Sequence, residues 1–581
     1  MMQRLAIVAA CFATAWAALV CADPAPADMV STSYRPAETM DLTTVGTVDW
    51  CVYRIEDAAA PTFVAADSRK GGAGIAGVPR IPTRQELAAN EAQRLGNLGF
   101  LKVAVDFADC MLRYGRDRYG KVHSPLLAVL LTREKEPRIG PEPYFDRPTP
   151  YDVSNMKTPF RKYDFNRCLN YPGGLGGEGP HKVTVFGCDV YEDQDLYTML
   201  IDLSRITGNA RYKREAEKAL LWWFTRTMGP ADLYPWGEHL GWDFEHECPT
   251  YFDGPSKHLY AACYHEIKDH VPFLDFLAAL PAPEAGGPTY LERYALGVWN
   301  AHYWDKERAV YCRHGDYTGG DTREGSTAGF PAHQGAHLRL WVAAYLGARN
   351  ADVKGQMGRI LNKVLDVQIA RTKKYGFVPF TFEADLKGKD PGKEAPGQSI
   401  RLAHHAAELS VVMRDADPGL AARFEELARL HLGEGKLKQA LKNMEMYVAT
   451  GDRDDLQGGR DTRERPPAEV EDLSDADTPQ PHAWAILRRL QWHKRYGDEA
   501  YLKAAEQQAR LAYVRFMDDT CPLPKAYAGG PGKTVAGDPF PDFTFRGAKL
   551  MHAFALLGEA KGHPAGAAPA HVSGASGEKG S

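Results

Sequence analysis

The chain has no strong charge bias, no CxxC pair and, beyond its N-terminus, no long apolar run. Lys and Arg number 70 against 75 Asp and Glu, with no basic cluster, so the electrostatic footprint of a nucleic-acid partner is missing. Without CxxC spacing among the 10 cysteines, a structural zinc cluster is not expected. No HExxH occurs, which argues against a zincin-type protease. The glycine-rich NYPGGLGGEG lacks the lysine and Ser/Thr of a phosphate loop and is expected to be a rim loop. No segment after the N-terminal one is long and apolar enough to span a bilayer.

The N-terminus carries Arg4, an uncharged apolar stretch over residues 5–20, and small residues before Asp23. This pattern is expected to be a cleaved signal peptide, residues 1–22, implying export to the periplasm or beyond and no membrane association afterwards. The run is short for an anchor, and Pro24 and Pro26 follow it. Val20 stands before Cys21 where a lipoprotein signal needs a small residue. Outside this segment lie Cys51, Cys110, Cys168, Cys188, Cys248, Cys263, Cys312 and Cys521. Their even number permits disulfides in an exported chain without fixing any pairing.

Residues 23–80 show no periodicity and read as irregular. Helical spacing begins near Thr83, an N-cap candidate with Glu86 three residues on. A recurring unit follows, in which two apolar-periodic helices flank a short polar turn such as TGNARY or YGDEAY. The units are too irregularly spaced for a solenoid of equal repeats. They predict an all-α dominated fold, an (α/α) toroid over residues 81–562 with long loops forming a cleft at one rim. Residues 451–480, charged and without aromatics, are expected to be a mobile surface insertion. Residues 563–581 are expected to be a disordered tail.

Histidines concentrate in one region. Of 19 in the chain, seven fall between 239 and 314: His239, His246, His258, His265, His270, His302 and His314. Glu238, Glu245, Glu247 and Glu266 are interspersed. Mixed imidazole and carboxylate sets suit manganese, zinc and similar divalent ions. YHEIKDHVPF is expected to be helical, which would put Glu266 and His270 on one face. In AVYCRHGDYTGG, Arg313 and His314 are adjacent. Neighbouring side chains of an extended strand point to opposite faces, so both can serve one site only if the chain turns there.

Three motifs, WGEH with His239, HEIKDHVP with Glu266 and RHG with Arg313 and His314, resemble polysaccharide lyase family 2, the pectate lyases with an (α/α) barrel. The resemblance spans roughly residues 85–450 in motif order and helix-pair texture. It implies a secreted, metal-dependent lyase of pectate or a related polyuronate. It also implies that His239, Glu266 and His314 hold a divalent metal, most typically manganese, with calcium, nickel, cobalt or zinc as other candidates. Arg313 would be the Brønsted base. His246 is an alternative to His239, and Glu238 is a further candidate ligand.

The chemistry needs such groups. A uronate lyase removes the C5 proton beside the carboxylate and expels the C4 oxygen, leaving a double bond. That proton is very weakly acidic while the carboxylate is charged. A divalent cation neutralises it and stabilises the enolate-like transition state, and a base must reach C5. A guanidinium is an unusual base because it is normally charged, although nearby cations disfavour any charged base. The alternative role for Arg313 is a bidentate clamp on the substrate carboxylate, with Tyr317 or His265 as base.

An anionic polymer also needs cationic and stacking groups, and Trp236, Lys268, Tyr317, Lys373 and Arg401 are the candidates. ARTKKYGFVPF, which holds Lys373, is expected to be a basic, aromatic loop after a helix. Core packing is the competing use for Trp236, as for most of the 11 Trp. Two other functions fit the same fold. A hydrolase such as an unsaturated uronyl hydrolase would draw on positioned carboxylates, for which Asp243, Glu245, Glu247 and Asp253 are available. A non-catalytic carbohydrate-binding protein would need no metal-dependent chemistry.

Overall fold

The structure is a computed structural model. Apart from isolated positions, it describes residues 99–139, 187–237, 240–244, 248–251, 264–267, 273–317, 328–378, 396–450, 467–518, 521–525 and 547–562, with the short paired strands β1 (Val52–Tyr53) and β2 (Lys182–Val183) and the segment 381–382. The signal segment, the Thr83 cap, the loop NYPGGLGGEG and the tail lie outside the described residues. So do Glu238, His239, His246 and Lys268.

Twelve described helices carry the fold: α1 (Phe100–Tyr114), α2 (Gln194–Thr207), α3 (Ala210–Arg226), α4 (Leu274–Ala279), α5 (Tyr290–His302), α6 (Pro331–Gly347), α7 (Ala351–Tyr375), α8 (Pro396–Met413), α9 (Pro418–Thr450), α10 (Pro479–Tyr496), α11 (Glu499–Phe516) and α12 (Ala548–Ala560). The polar turns make the pairs. After α2, Asn209 accepts the Arg211 N–H (3.1 Å) and caps α3. After α10, Asp498 accepts the Ala500 N–H (2.9 Å) and caps α11. Asn350 does the same for α7, accepting the Asp352 N–H at 2.8 Å. Each cap satisfies a helix-start donor that would otherwise be unpaired.

Burial sorts the helices into two rings. In α8 every residue from Leu402 to Ser410 is buried, and α6 and α12 likewise show almost no exposed face. A helix enclosed on all sides belongs to the interior. In α7 the buried residues Val353, Met357, Ile360, Leu361, Val364 and Leu365 repeat at three and four, one stripe of an outer helix. The last helix closes the ring, since α12 packs against α1, α2 and α10. The described chain is therefore an (α/α) toroid. Among the described residues no helix is long and apolar enough to cross a membrane.

Short strands stitch the loops at the rim. β3 (Gly187–Cys188), β4 (Leu240–Asp243) and β5 (Cys248–Tyr251) form one antiparallel sheet. β6 (Tyr264–His265) pairs with β7 (Gly315–Asp316), and β8 (Ala328–Gly329) pairs with β9 (Thr381–Phe382).

Three expectations change. YHEIKDHVPF does not begin as a helix, because Tyr264–His265 is a strand and the Glu266 N–H donates to the Trp236 carbonyl (2.8 Å). His265, Glu266 and Ile267 are all fully buried, which suits an enclosed extended segment rather than an amphipathic helix. The ARTKKYGFVPF segment is not a loop up to Tyr375. Its Arg and Lys residues are good helix formers and extend α7 until Gly376, at φ 81°, stops it. Of the insertion at 451–480, the described part is anchored on α10 and α11. Glu471 accepts hydrogen bonds from Arg488 (2.6 Å) and Arg489 (3.1 Å), and its N–H donates to Gln508 (3.0 Å).

Candidate active site

The β6–β7 register sets the site. Tyr264 faces Asp316 and His265 faces Gly315, so one step further along each chain brings Glu266 alongside His314. The backbone bends at Arg313. As a result Arg313 and His314, adjacent in sequence, both reach the carboxylate of Glu266. Arg313 grips it with two nitrogens, Nε to Oε1 and Nη2 to Oε2 (3.1 Å). His314 Nε2 lies 3.8 Å from Oε2, and His333 Nδ1 lies 3.5 Å from Oε1.

His333 comes from the first turn of α6, whose positive dipole end favours the anion. Phe330, the α6 N-cap, lies under the Arg313 guanidinium at 5.6 Å from its ring centroid, a cation–π contact. The Tyr311 hydroxyl donates to the Phe330 carbonyl and ties the Arg313 loop to the start of α6.

Burial alone would raise the Glu266 pKa. His314, Arg313 and His333 outweigh it and hold the carboxyl well below the usual range, so it is ionised. Glu266 has no exposed surface, His314 is 8% exposed, and the Arg313 side chain is 24% exposed. The guanidinium is thus the most accessible group of this cluster. Gly237, at φ 130°, is needed for the close approach, because a side chain there would meet Glu266 Cβ at 2.9 Å.

Beneath the cluster lies a second, fully buried set. His265, His302 and His337 lie ring to ring, with centroids 5.0 Å apart for each successive pair. Burial lowers the pKa of all three, that of His302 to about 4, so these imidazoles are neutral.

The candidate substrate-binding residues divide. Trp236 is 1% exposed, with its ring edge-on to Tyr191, and offers no face for a sugar. Its contribution is the backbone carbonyl that accepts from Glu266. Tyr317 is buried, and its hydroxyl donates to the Thr227 carbonyl (2.6 Å), so it is neither a sugar platform nor a base. His265, the other rival base, is enclosed with both ring nitrogens engaged. Lys373 is on the outer ring, paired with Glu426 of α9 at 2.6 Å. Arg401 is exposed on α8.

Glu266 and His314 supply a carboxylate and an imidazole side by side, and this donor chemistry suits a borderline divalent ion. Among the described residues, no group of three or more His, Cys, Asp or Glu side chains is arranged as a ready metal cage. The third expected ligand, His239, lies outside the described residues. His333, absent from the sequence reading, also faces Glu266. The signal for it was HQGAH, two histidines four apart on one helix face, just beyond the histidine-rich stretch.

Residues 184–333 match the family of periplasmic pectate lyases. The matched segment ends in the first turn of α6. It contains Glu266, Arg313, His314 and His333, and over it the family resemblance of the motifs is shown. Among solved structures, the chain is similar to cellobiose 2-epimerase from Spirochaeta thermophila at 12% identity, covering 64% of this chain and 86% of that one, TM-score 0.32. A family 76 glycoside hydrolase from a bovine Bacteroides thetaiotaomicron strain matches at 10% identity, 80% of this chain and 78% of that one, TM-score 0.34. An unsaturated glucuronyl hydrolase specific for heparin matches at 11% identity, 64% and 87%, TM-score 0.30. None of these likenesses bears on the reaction.

Proposed function

We propose that the protein is an exported polysaccharide lyase that cleaves pectate or a related polyuronate by β-elimination. The pectate lyase match supports a carbohydrate-processing enzyme. The observation that carries the finer reading is the meeting of Glu266, Arg313 and His314 on one partly open rim.

In this reading Glu266 and His314, with His239, hold a divalent cation, manganese in the first instance. When bound, the cation supplies Lewis-acid neutralisation of the substrate carboxylate. The protein's own residues do the rest. Glu266 stays ionised and anchors the site. Arg313 presents a planar fork at the rim, where it grips the uronate carboxylate or, once it has lost a proton of its own to solvent, receives the C5 proton. Phe330 and Glu266 fix the guanidinium from two sides, which limits the reorganisation needed on substrate binding.

The test is a panel of uronate polymers, with and without chelator, read by the ultraviolet absorbance of the new C4–C5 double bond. Metal-dependent signal is expected from the wild type. It should be abolished in folded Arg313→Ala, His314→Ala and Glu266→Ala. Variants that retain full activity sink the site assignment. A chain that instead consumes unsaturated uronides and removes the absorbance is a hydrolase.

A further inference from the structure

The buried set beneath the site forms a single hydrogen-bonded line, and its polarity can be worked out. His302 Nδ1 lies 3.0 Å from the Cys312 carbonyl, which only accepts, so Nδ1 carries the proton. A neutral imidazole has one N–H, so His302 Nε2 accepts. His265 Nδ1, 2.8 Å away, must then be its donor. His265 Nε2 is left to accept from the Tyr294 hydroxyl, also at 2.8 Å. The opposite polarity would require a doubly protonated His302, a charged ring with no exposed surface and no carboxylate bonded to it.

This line ends beside the reacting groups. The Cys312 N–H donates to the His302 carbonyl (2.9 Å), so His302 clasps Cys312 through backbone and side chain together. Arg313 and His314 are the next two residues. At the other end, His265 is joined to Glu266 by a peptide bond. The His265–His302 hydrogen bond therefore ties the two halves of the site from below. Gly315 leaves room for it, since a Cβ there would fall 2.5 Å from His302 Cδ2.

We propose that His302 and His265, both in the Nδ1–H tautomer and oriented by Tyr294, are positioning residues that hold Arg313–His314 in register with Glu266. This rests on the site reading above and extends it to a layer that touches neither substrate nor cation. Support of this kind is worth about 10–100-fold in activity when removed.

Two substitutions separate the links. Asparagine at 302 places its amide N–H near Nδ1 and keeps the bond to Cys312. Glutamine places its amide near Nε2 and keeps the bond to His265 but releases Cys312. Each variant breaks one of the two bonds the tie needs, so His302→Asn and His302→Gln are both expected to lose about 10–100-fold in kcat with a smaller change in KM. A readout that needs no turnover comes from ring-15N-labelled histidine in the full chain, with resonances assigned through His302→Asn, His265→Asn and His314→Ala. Wild type is expected to show the Nδ1–H tautomer at His265 and His302. The His314 resonance should move in both variants.

An Nε2–H or doubly protonated ring at either position overturns the proposal. So does wild-type kcat in either variant, or a His314 resonance that stays in both. A wild type that cleaves no uronate polymer refutes the lyase reading alone, because the tautomers and the His314 shift still decide whether the layer positions this loop.

Discussion

Replacing Gly315 with alanine tests how tightly the buried layer is built. The backbone at Gly315 is not in the left-handed region, so alanine brings no dihedral penalty and acts only through its methyl group. That Cβ would fall 2.5 Å from His302 Cδ2 and closer still to Nε2, distances at which something must move. The ring cannot yield freely, since it is bonded to Cys312 on one side and His265 on the other. The backbone cannot yield freely either, because β7 is paired with β6. Overpacking of this kind costs about 1–3 kcal/mol. Breaking the His265–His302 bond leaves a buried N–H without its acceptor, costing about 1–3 kcal/mol more. The variant should be destabilised by about 2–6 kcal/mol, read as a lower urea midpoint by tryptophan fluorescence. The control is Gly435→Ala, in the first turn after the break that Gly433 (φ 69°) makes in α9, with open space around the new methyl. It should gain up to about 1 kcal/mol from helix propensity. A Gly315→Ala midpoint equal to wild type would refute the packing derived for this layer.

Two further outcomes follow from the same coordinates. His302 has its pKa lowered from the ordinary 6.5 to about 4, chiefly by burial, so the unfolded chain takes up that proton first as the pH falls. Stability present in full above pH 6.5 is lost towards pH 4, about 3 kcal/mol from this group. His265 and His337 act in the same direction, and the depressed Glu266 carboxyl adds to the loss below its ordinary 4.5. Urea midpoints should hold from pH 8 to about pH 6.5 and fall from there to pH 4, and a profile flat throughout would contradict neutral buried histidines. Separately, Asp498→Ala removes the α11 cap and should cost about 1 kcal/mol in the same assay, without changing activity.

What could be read in advance follows the length of the signal. TGNARY and YGDEAY announce helix pairs because an apolar period repeated over many residues flanks a polar cap. Tyr264–His265 is two residues long, and no periodicity exists in so short a strand. Its identity depends on a partner about fifty residues away, Gly315–Asp316. Trp236 and Tyr317 illustrate a different limit. A large aromatic has the same composition signal in a core as on a sugar platform, and only packing tells them apart. The adjacency of Arg313 and His314 was informative because it posed a geometric condition, a bend in the chain, that the structure meets at Arg313. His333 was missed because it enters the cluster from a helix beyond the histidine-rich segment.

The pairing of Arg313 with Glu266 also bears on why the proposed reaction would demand an anionic substrate. The carboxylate of Glu266 is enclosed, and one guanidinium balances it. Under the proposed reaction, a divalent cation beside Glu266 would leave that enclosed space with two surplus positive charges, which is costly in a region of low dielectric. A uronate carboxylate offsets part of that surplus and offers the Arg313 fork a second planar acceptor. A neutral glycan does neither. Discrimination between charged and neutral polymers would then arise at the reacting centre itself, from charge balance around one buried carboxylate, rather than from a lysine-lined groove. The exposed position of Arg401 and the pairing of Lys373 with Glu426 on the outer ring are consistent with that division of labour.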